Sequence, residues 1–394
     1  MAKAQRIAFV CPRFAEHGTV GGAETLLKAL AERVARSGRE VNFLTTCATN
    51  HFTWENTVPP GTRTYGPLRV TFFPVNEDRD VGAFLSIQHR IDKRQPISRA
   101  DEETWMAHSV NSRALIQHLR DHLDQYDRIV TGPYLFGISY FASLLDPSKT
   151  VLVPCLHDEP FAYLTITRDL FRAVPRFIFN TEPEKTLARR LYDLPDRGLV
   201  VGMGIEDMPV DPAAFARRHH LDQPYIIYSG RRETLKGTPI LTAYLQAFRE
   251  RTGRDVRMVF TGSGDIEAPD ALRPALLDVG FVSEQEKREA MAGAVCFVHA
   301  SVNESLGIVL LEAWLAGTPS LVHAKSVVLR DQCRRAGGGL WFRHYPDFEE
   351  ALLRLLDDPG LRQRLAESGR RFVLEQYSWS AVERRLLAAL DADA

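Results

Sequence analysis

The sequence predicts an α/β chain made of two doubly wound domains. Three observations carry this. Short apolar runs of strand length alternate with helix-period segments almost throughout. The alternation restarts at Tyr225, and each series opens on its own buried-strand run. Strands that alternate with helices imply parallel βαβ units with helices on both faces of a sheet.

In the first series RIAFVC, from Arg6, reads as a buried strand. Residues 22–37 follow with Leu26, Leu27, Leu30 and Val34 on one helical face and stop at Gly38. EVNFLTT, LRVTFFP, RIVTG, TVLVPCL, RFIFN and GLVVGMG complete that series. The second runs from YIIYSG through a helical stretch at 239–251 to VRMVFTG, LLDVGFV, AVCFVHA, SLVH and GLWF. The expected domains are therefore 1–204 and 225–377. Residues 205–224, rich in Pro, Asp and charge, read as a linker between them, and 378–394 as a helix crossing back to the first domain. Residues 77–103 break the pattern. They are charged and weakly periodic, and read as an extended loop or a helix over the cleft of the first domain.

Composition excludes several classes. Among 394 residues, 45% are hydrophobic and 25% charged, so neither disorder nor a fibrous chain is indicated. Forty-nine basic residues against 50 acidic ones give a net charge of -1. That balance does not advertise nucleic acid or an anionic membrane as an obligatory partner. Cys11, Cys47, Cys155, Cys296 and Cys333 are odd in number, far apart and never in a Cys-x-x-Cys pair, which reads as reduced thiols in a packed interior. The opening MAKAQRIAFV lacks the apolar core of a signal peptide, and no run approaches the roughly 18 apolar residues of a membrane span. The expected location is cytoplasmic, with peripheral contact at the inner membrane face left open.

Four segments carry chemistry. In NESLGIVLLEAWLAGTP, from Asn303, Glu304 and Glu312 stand eight residues apart, about 12 Å if both are on a helix. Two carboxylates so spaced can grip a long ligand at two points, and the helix start offers free N–H groups to a diphosphate. Glu312 lies in an apolar run, where a carboxylate without a partner would be costly to bury. In SGRRETLKGTP, Arg231 and Lys236 directly follow the strand that opens the second domain. Fixed cations there can stabilise a departing pyrophosphate without a metal. Arg232 is the adjacent alternative, one residue short in its spacing to Lys236. GTVGGAET places Gly18, Gly21 and Gly22 before the first helix, where glycine lets backbone approach a ligand. His157-Asp158 follows the strand VLVPCL, at the carboxyl edge where open α/β sheets bind ligands.

The run E-S-L-G-I-V-L-L-E resembles the Glu-x7-Glu signature of the retaining glycosyltransferases of family 4, and Arg231 to Lys236 resembles that family's Arg-x4-Lys pair. The resemblance implies a GT-B fold, two Rossmann-like domains facing a cleft. It implies that Glu304 faces the donor sugar, with Ser305, Leu306, Gly307 and Ile308 beside it, and that Glu312 hydrogen-bonds the ribose. Arg231 and Lys236 would hold the diphosphate, and His157 would lie near the donor sugar. Gly21 and Gly22 resemble the family's glycine turn near donor phosphate and acceptor, TGSGD holds Gly262 and Gly264, and Phe281 and Val282 fall where the base is met. Asn180-Thr181 and GMGIED, from Gly202, are further landmarks. The pattern departs at Ser305-Leu306, where Gly-Phe is commonest, and after Pro319, where AKSVVLRDQ replaces a Gly-Gly-x-Pro-Glu segment.

What the resemblance implies is transfer of a sugar from a UDP- or GDP-sugar to a hydroxyl on a glycan, lipid-linked or small-molecule acceptor, in bacterial polysaccharide or glycoconjugate synthesis. No metal, no cofactor beyond the donor and no nucleic acid are expected. Other readings stay open. Asp78-Arg79-Asp80 fits the metal-binding Asp-x-Asp of another glycosyltransferase architecture, and so does Asp391-Ala392-Asp393 in the tail. A GT-B epimerase or a nucleotide-sugar sensor without turnover would share much of the site. A dinucleotide oxidoreductase is disfavoured, because neither series opens on G-x-G-x-x-G.

Overall fold

The computed structural model describes residues 5–16 and 21–392, without the side chain of Leu235. Gly18 and Asp393, singled out above, lie outside the described residues. The chain divides into two compact units, 1–204 with 382–394, and 205–381.

The first unit holds β1 (Arg6–Val10), β2 (Glu40–Thr46), β3 (Gly61–Tyr65), β4 (Leu68–Phe73), β5 (Arg128–Thr131), β6 (Thr150–Leu152), β7 (Arg176–Phe179) and β8 (Leu199–Val200). They form one sheet in the order β3-β4-β2-β1-β5-β6-β7-β8, parallel except for the β3–β4 hairpin. Residues 7–10 of β1 are wholly buried, as a central strand covered on both faces requires. β3, which the apolar pattern did not announce, is a largely exposed edge strand with polar side chains, and so cannot be found by hydrophobicity. The helix after β1, Gly22–Arg36, buries Leu26, Leu27, Leu30 and Val34.

Residues 77–103 contribute two helices, Val81–Asp92 and Arg99–His108. Asp80 caps the first by accepting from the Ala83 N–H, and Ser98 with Asp101 forms a capping box on the second. Their apolar sides, with Ile87, Ile91, Trp105 and Met106, close on Leu164 and Ile166 in a core of their own. Glu102 is buried there and accepts the Thr165 and Ile166 N–H groups at 3.1 and 2.9 Å.

The second unit holds β9 (Tyr225–Ser229), β10 (Arg257–Thr261), β11 (Leu276–Gly280), β12 (Cys296–His299), β13 (Ser320–His323) and β14 (Gly339–Phe342). All pairings are parallel, in the order β11-β10-β9-β12-β13-β14. Ile226, Tyr228, Val298, Leu321 and Phe342 from these strands pack with Leu241, Leu245 and Phe248 of helix Thr238–Thr252. Residues 205–224, read as a linker, group with this unit and carry helix Ala214–His219. The segment is tied down at both ends. Ile205 donates its N–H to the Tyr377 carbonyl, Asp207 pairs with Arg370, and Arg218 meets Glu286 and Glu289. After helix Pro359–Gln376 comes helix Trp379–Asp391, and residues 382–394 group with the first unit. There Glu383 pairs with Arg33 and Asp391 with Arg39. All five cysteines are buried, and none is in a disulfide.

Candidate functional site

In the second sheet the chain leaves β9 toward β10 and β11 on one side and β12 to β14 on the other. The order therefore reverses between β9 and β12, and a doubly wound sheet opens a crevice beyond the carboxyl ends of the strands at that point. Arg231 and Lys236 lie in the loop that follows β9, and Glu304 in the turn that follows β12. Two segments 68 residues apart in sequence meet there, the Lys236 Nζ donating to Glu304 Oε1 at 2.8 Å.

Glu304 sits before the helix it was expected to open. That helix is Ile308–Leu315, with Gly307 as its N-cap at φ 74, so the two glutamates are not on one helix and the 12 Å spacing does not apply. A third group completes the arrangement and was missed in the sequence, where it reads as a strand residue. His299 ends β12, is buried, and places Nε2 3.7 Å from Glu304 Oε1. Its Nδ1 accepts the Ser301 N–H at 3.1 Å, which leaves the proton on Nε2, facing the carboxylate. Burial pushes the His299 pKa down to about 4, against a raising effect of Glu304, so the ring is neutral at pH 7. Lys236 and His299 thus approach the same oxygen of Glu304 from two elements.

Arg231 stays about two-fifths exposed and reaches Glu233 at 3.3 Å. Arg232 has a different fate. It is buried, its Nε donates to the Gly264 carbonyl at 2.6 Å, and its guanidinium meets Asp278 at 3.1 Å. Arg232 therefore braces the neighbouring loop, while Arg231 and Lys236 remain the cations at the crevice. That neighbouring loop is TGSGD. Gly262, at φ 109, donates its N–H to the Gly280 carbonyl, and a Cβ on it would stand 2.3 Å from the Gly230 carbonyl oxygen. Only glycine fits this approach of two loops.

Glu312 is buried in Ile308–Leu315 but is not without partners. Lys287 Nζ lies 3.0 Å from one carboxylate oxygen and Arg288 3.6 Å from the other, both from helix Glu284–Ala292. Those two cations offset the cost of burying the charge, and they were not read as its partners in sequence. Of the residues placed around Glu304, Leu306 has its side chain in the interior, 3% exposed, and its carbonyl accepts from Gln332 Nε2 at 2.5 Å. Ser305 and Ile308 are half-buried, and Gly307 packs against Leu329. Phe281, beyond β11, is 73% exposed, with Val282 half-buried beside it.

In the first unit the strand order reverses between β1 and β5. Gly21 and Gly22 stand at the start of the helix that follows β1. The turn contains a buried pair not anticipated. Arg13 Nε and Nη2 donate to Glu24 Oε1 at 2.9 and 2.5 Å, and both residues are 5% exposed. A Cβ on Gly21 would fall 2.3 Å from the other Glu24 oxygen. His157 follows β6, with Nδ1 3.6 Å from Glu159, while Asp158 accepts from Tyr163 and Arg190. The segment before His157 is held by Glu184, buried in the first turn of helix Glu182–Tyr192, which accepts the N–H groups of Leu156 and Asn180 at 2.7 and 2.5 Å. Burial raises the Glu184 carboxyl to about 7. Thr181 caps the same helix. The Asp-x-Asp near residue 79 is spent locally: Asp78 grips Arg113 in two bonds and Asp80 caps a helix. Among the described residues no three His, Cys, Asp or Glu side chains converge as a metal site. No helix among them is long and apolar enough to cross a membrane.

Comparison with known proteins agrees with this geometry. Residues 211–372 match the family described as Glycosyl transferases group 1. The alpha-D-kanosaminyltransferase of Streptomyces kanamyceticus is 31% identical over 176 residues, 42% of this chain and 45% of the relative. A D-inositol 3-phosphate glycosyltransferase of Frankia alni is 31% identical over 253 residues, 58% of this chain and 61% of the relative. The chain spans about half the length of the curated relatives it matches. Among solved structures, a sucrose-phosphate synthase from Thermosynechococcus elongatus superposes over 98% of this chain and all of that one, with TM-score 0.73 and 17% identity. The Anabaena protein HepE, solved with UDP and glucose, covers 98% of this chain and 99% of its own, with TM-score 0.67 and 14% identity. The chain thus has the GT-B fold of two Rossmann-like domains, and its residues 211–372 match the glycosyl transferases group 1 family.

Proposed function

We propose that this protein is a glycosyltransferase that moves a sugar from a UDP- or GDP-sugar to a hydroxyl of a glycan, lipid-linked or small-molecule acceptor, with retention and without a metal. The observation that carries the reading is the meeting of Lys236 and Glu304 across the switch point of the second sheet. A diphosphate leaving group gains negative charge as the glycosidic bond breaks. Arg231 and Lys236 supply fixed positive charge for it, and Lys236 is already held in place by Glu304. Glu304, steadied by Lys236 and the neutral His299, is an acceptor for sugar hydroxyls, and Glu312 one for a ribose. His157 and the Gly21–Gly22 turn are the groups the first unit offers. The printed names of similar proteins support the donor class: HepE was solved with UDP-glucose, and an E. coli trehalose-6-phosphate protein with UDP-2-fluoro glucose.

The test is a transfer assay over a panel of nucleotide sugars, reading free nucleotide diphosphate and the anomeric configuration of the product, with and without EDTA. Lys236→Ala and Glu304→Gln are each expected to lower turnover by about 10²-fold or more. Unchanged rates in both variants would overturn the assignment. Donor binding with no nucleotide diphosphate released would show a sensor instead.

A further inference from the structure

Beyond the carboxyl ends of β13 and β14 the second unit has a surface cavity of about 350 Å3, lined by Ala324, Lys325, Val327, Arg330, Arg343 and His344. That is the small end of the ~300–1,000 Å3 range of ligand pockets. A second cavity of about 730 Å3 shares Arg343 and His344 with it and is bordered by Trp341, which is 42% exposed. We propose that the two together bind a phosphorylated sugar, with the phosphate among Lys325, Arg330 and Arg343 and the ring against the indole of Trp341.

The argument rests on charge that has not been neutralised. Three cationic side chains line the first cavity, and none has a carboxylate within ion-pair distance among the described residues. The nearby acids have other partners: Asp331 takes Arg334 at 2.7 Å, and of the two carboxylates that line the second cavity Glu350 takes Arg354 at 2.6 Å and Asp347 accepts the backbone N–H of Arg343 at 2.9 Å. A dianionic phosphomonoester matches that excess, and two guanidinium groups match its geometry. The walls are fixed: the Ala324 N–H donates to the Phe342 carbonyl at 2.8 Å, joining the loops that follow β13 and β14. Ser326 caps helix Val327–Ala336, whose first turn borders the same hollow. His323, beneath Lys325, has its pKa lowered by burial first, then by Lys325 and His344, as a cationic surrounding requires. Trp341 supplies the second half, an exposed aromatic face next to the same arginine, which suits the apolar C–H face of a sugar.

The cationic residues of this site follow β13 and β14, whereas Arg231 and Lys236 follow β9 and Glu304 follows β12 of the same sheet. Helix Val327–Ala336 connects the two, since Gln332 donates to the Leu306 carbonyl beside Glu304.

Calorimetric titration of the full chain with glucose 6-phosphate, inorganic phosphate, glucose and UDP tests the proposal. Glucose 6-phosphate is expected to saturate one site, and the double variant Arg330→Gln with Arg343→Gln to weaken it by about tenfold or more while UDP binding is retained. Trp341→Ala should weaken glucose 6-phosphate and leave inorganic phosphate unchanged. Lys236→Ala should do the reverse of the double variant, weakening UDP and sparing glucose 6-phosphate. No saturable binding of either phosphate, or equal binding by the wild type and the double variant, would overturn the site. Loss of UDP and glucose 6-phosphate together in the double variant would also overturn it, by placing the cavity within the donor site.

Discussion

The neutral state of His299 can be tested through its effect on stability. Its ordinary pKa of 6.5 falls to about 4 in the fold because burial outweighs the attraction of Glu304. Above pH 6.5 the ring is neutral folded or unfolded, so it costs nothing. As the pH falls from 6.5 toward 4 the unfolded chain takes a proton that the folded chain refuses, and stability is lost. At pH 5 the loss is about 2 kcal/mol. A second group runs the other way. Glu184 is raised from 4.5 to about 7, so its folded form binds a proton first and its contribution is full below pH 4.5 and lost as pH rises through 7. The two effects are of similar size and opposite sign, so the wild type shows only a part of either. Variants separate them. His299→Gln keeps a side-chain N–H for Glu304 but does not titrate. Urea unfolding of both proteins at pH 8 and pH 5 should show the variant gaining about 2 kcal/mol relative to wild type at the lower pH. Glu184→Gln should show the opposite trend. An equal stability difference between His299→Gln and wild type at both pH values would refute the assignment of a neutral, depressed His299 and with it the donor role of Nε2.

Three further outcomes follow from contacts in each unit. Glu312→Gln leaves Lys287 and Arg288 facing a neutral amide, and should cost about 3 kcal/mol in chemical unfolding as well as weaken nucleotide binding. Gly262→Ala forces a Cβ to within 2.3 Å of the Gly230 carbonyl at a positive φ, and should lower stability by about 2 kcal/mol or more by the same measurement. In the first unit, Arg13→Met and Glu24→Gln should each cost about 3 kcal/mol, while the double variant should cost less than their sum. Additive losses would mean that the buried pair is not coupled.

The fold was legible because its strands are buried on both faces. β1, β9 and β12 are continuous apolar runs that composition alone isolates. The segments that were hard to read were those whose stability lies in polar contacts. Residues 205–224 have the composition of a linker, yet Asp207 and Arg218 fasten them to the second unit through ion pairs made across the sequence. Residues 77–103 form two helices secured by Asp80, Ser98 and Asp101, and their apolar side faces a small separate core, which weakens the periodicity. The same division holds in the site. Arg231, Lys236, Glu304 and Glu312 could be named from spacing, and the structure sets Lys236 against Glu304. Lys287 and Arg288 lie in the run EQEKREAMA, which looks like a solvated helix face until the helix carrying Glu312 is placed against it. His299 looks like one more strand residue, and only the end of β12 turns it toward Glu304.

A common feature of these sites is that the carboxylates in and beside them are already paired. Glu304 is held by Lys236, Glu312 by Lys287 and Arg288, Glu24 by Arg13, and Asp158 by Arg190. A ligand that uses any of them must offset the pair it disturbs. For Glu304 the offset is built into the proposed chemistry, because a diphosphate brings negative charge to Lys236 and can take over that cation while releasing the carboxylate to sugar hydroxyls. A neutral sugar alone brings no such replacement. The geometry therefore favours a ligand that presents a diphosphate and hydroxyl groups in one molecule over either part by itself, and it does so before any contact with the base is considered. Glu24 and Arg13 differ in this respect: both are 5% exposed, so no ligand charge reaches the cation, and their pairing serves the fold of the Gly21–Gly22 turn. Exposure of the cation separates a carboxylate that can act on a ligand from one that holds the backbone in place.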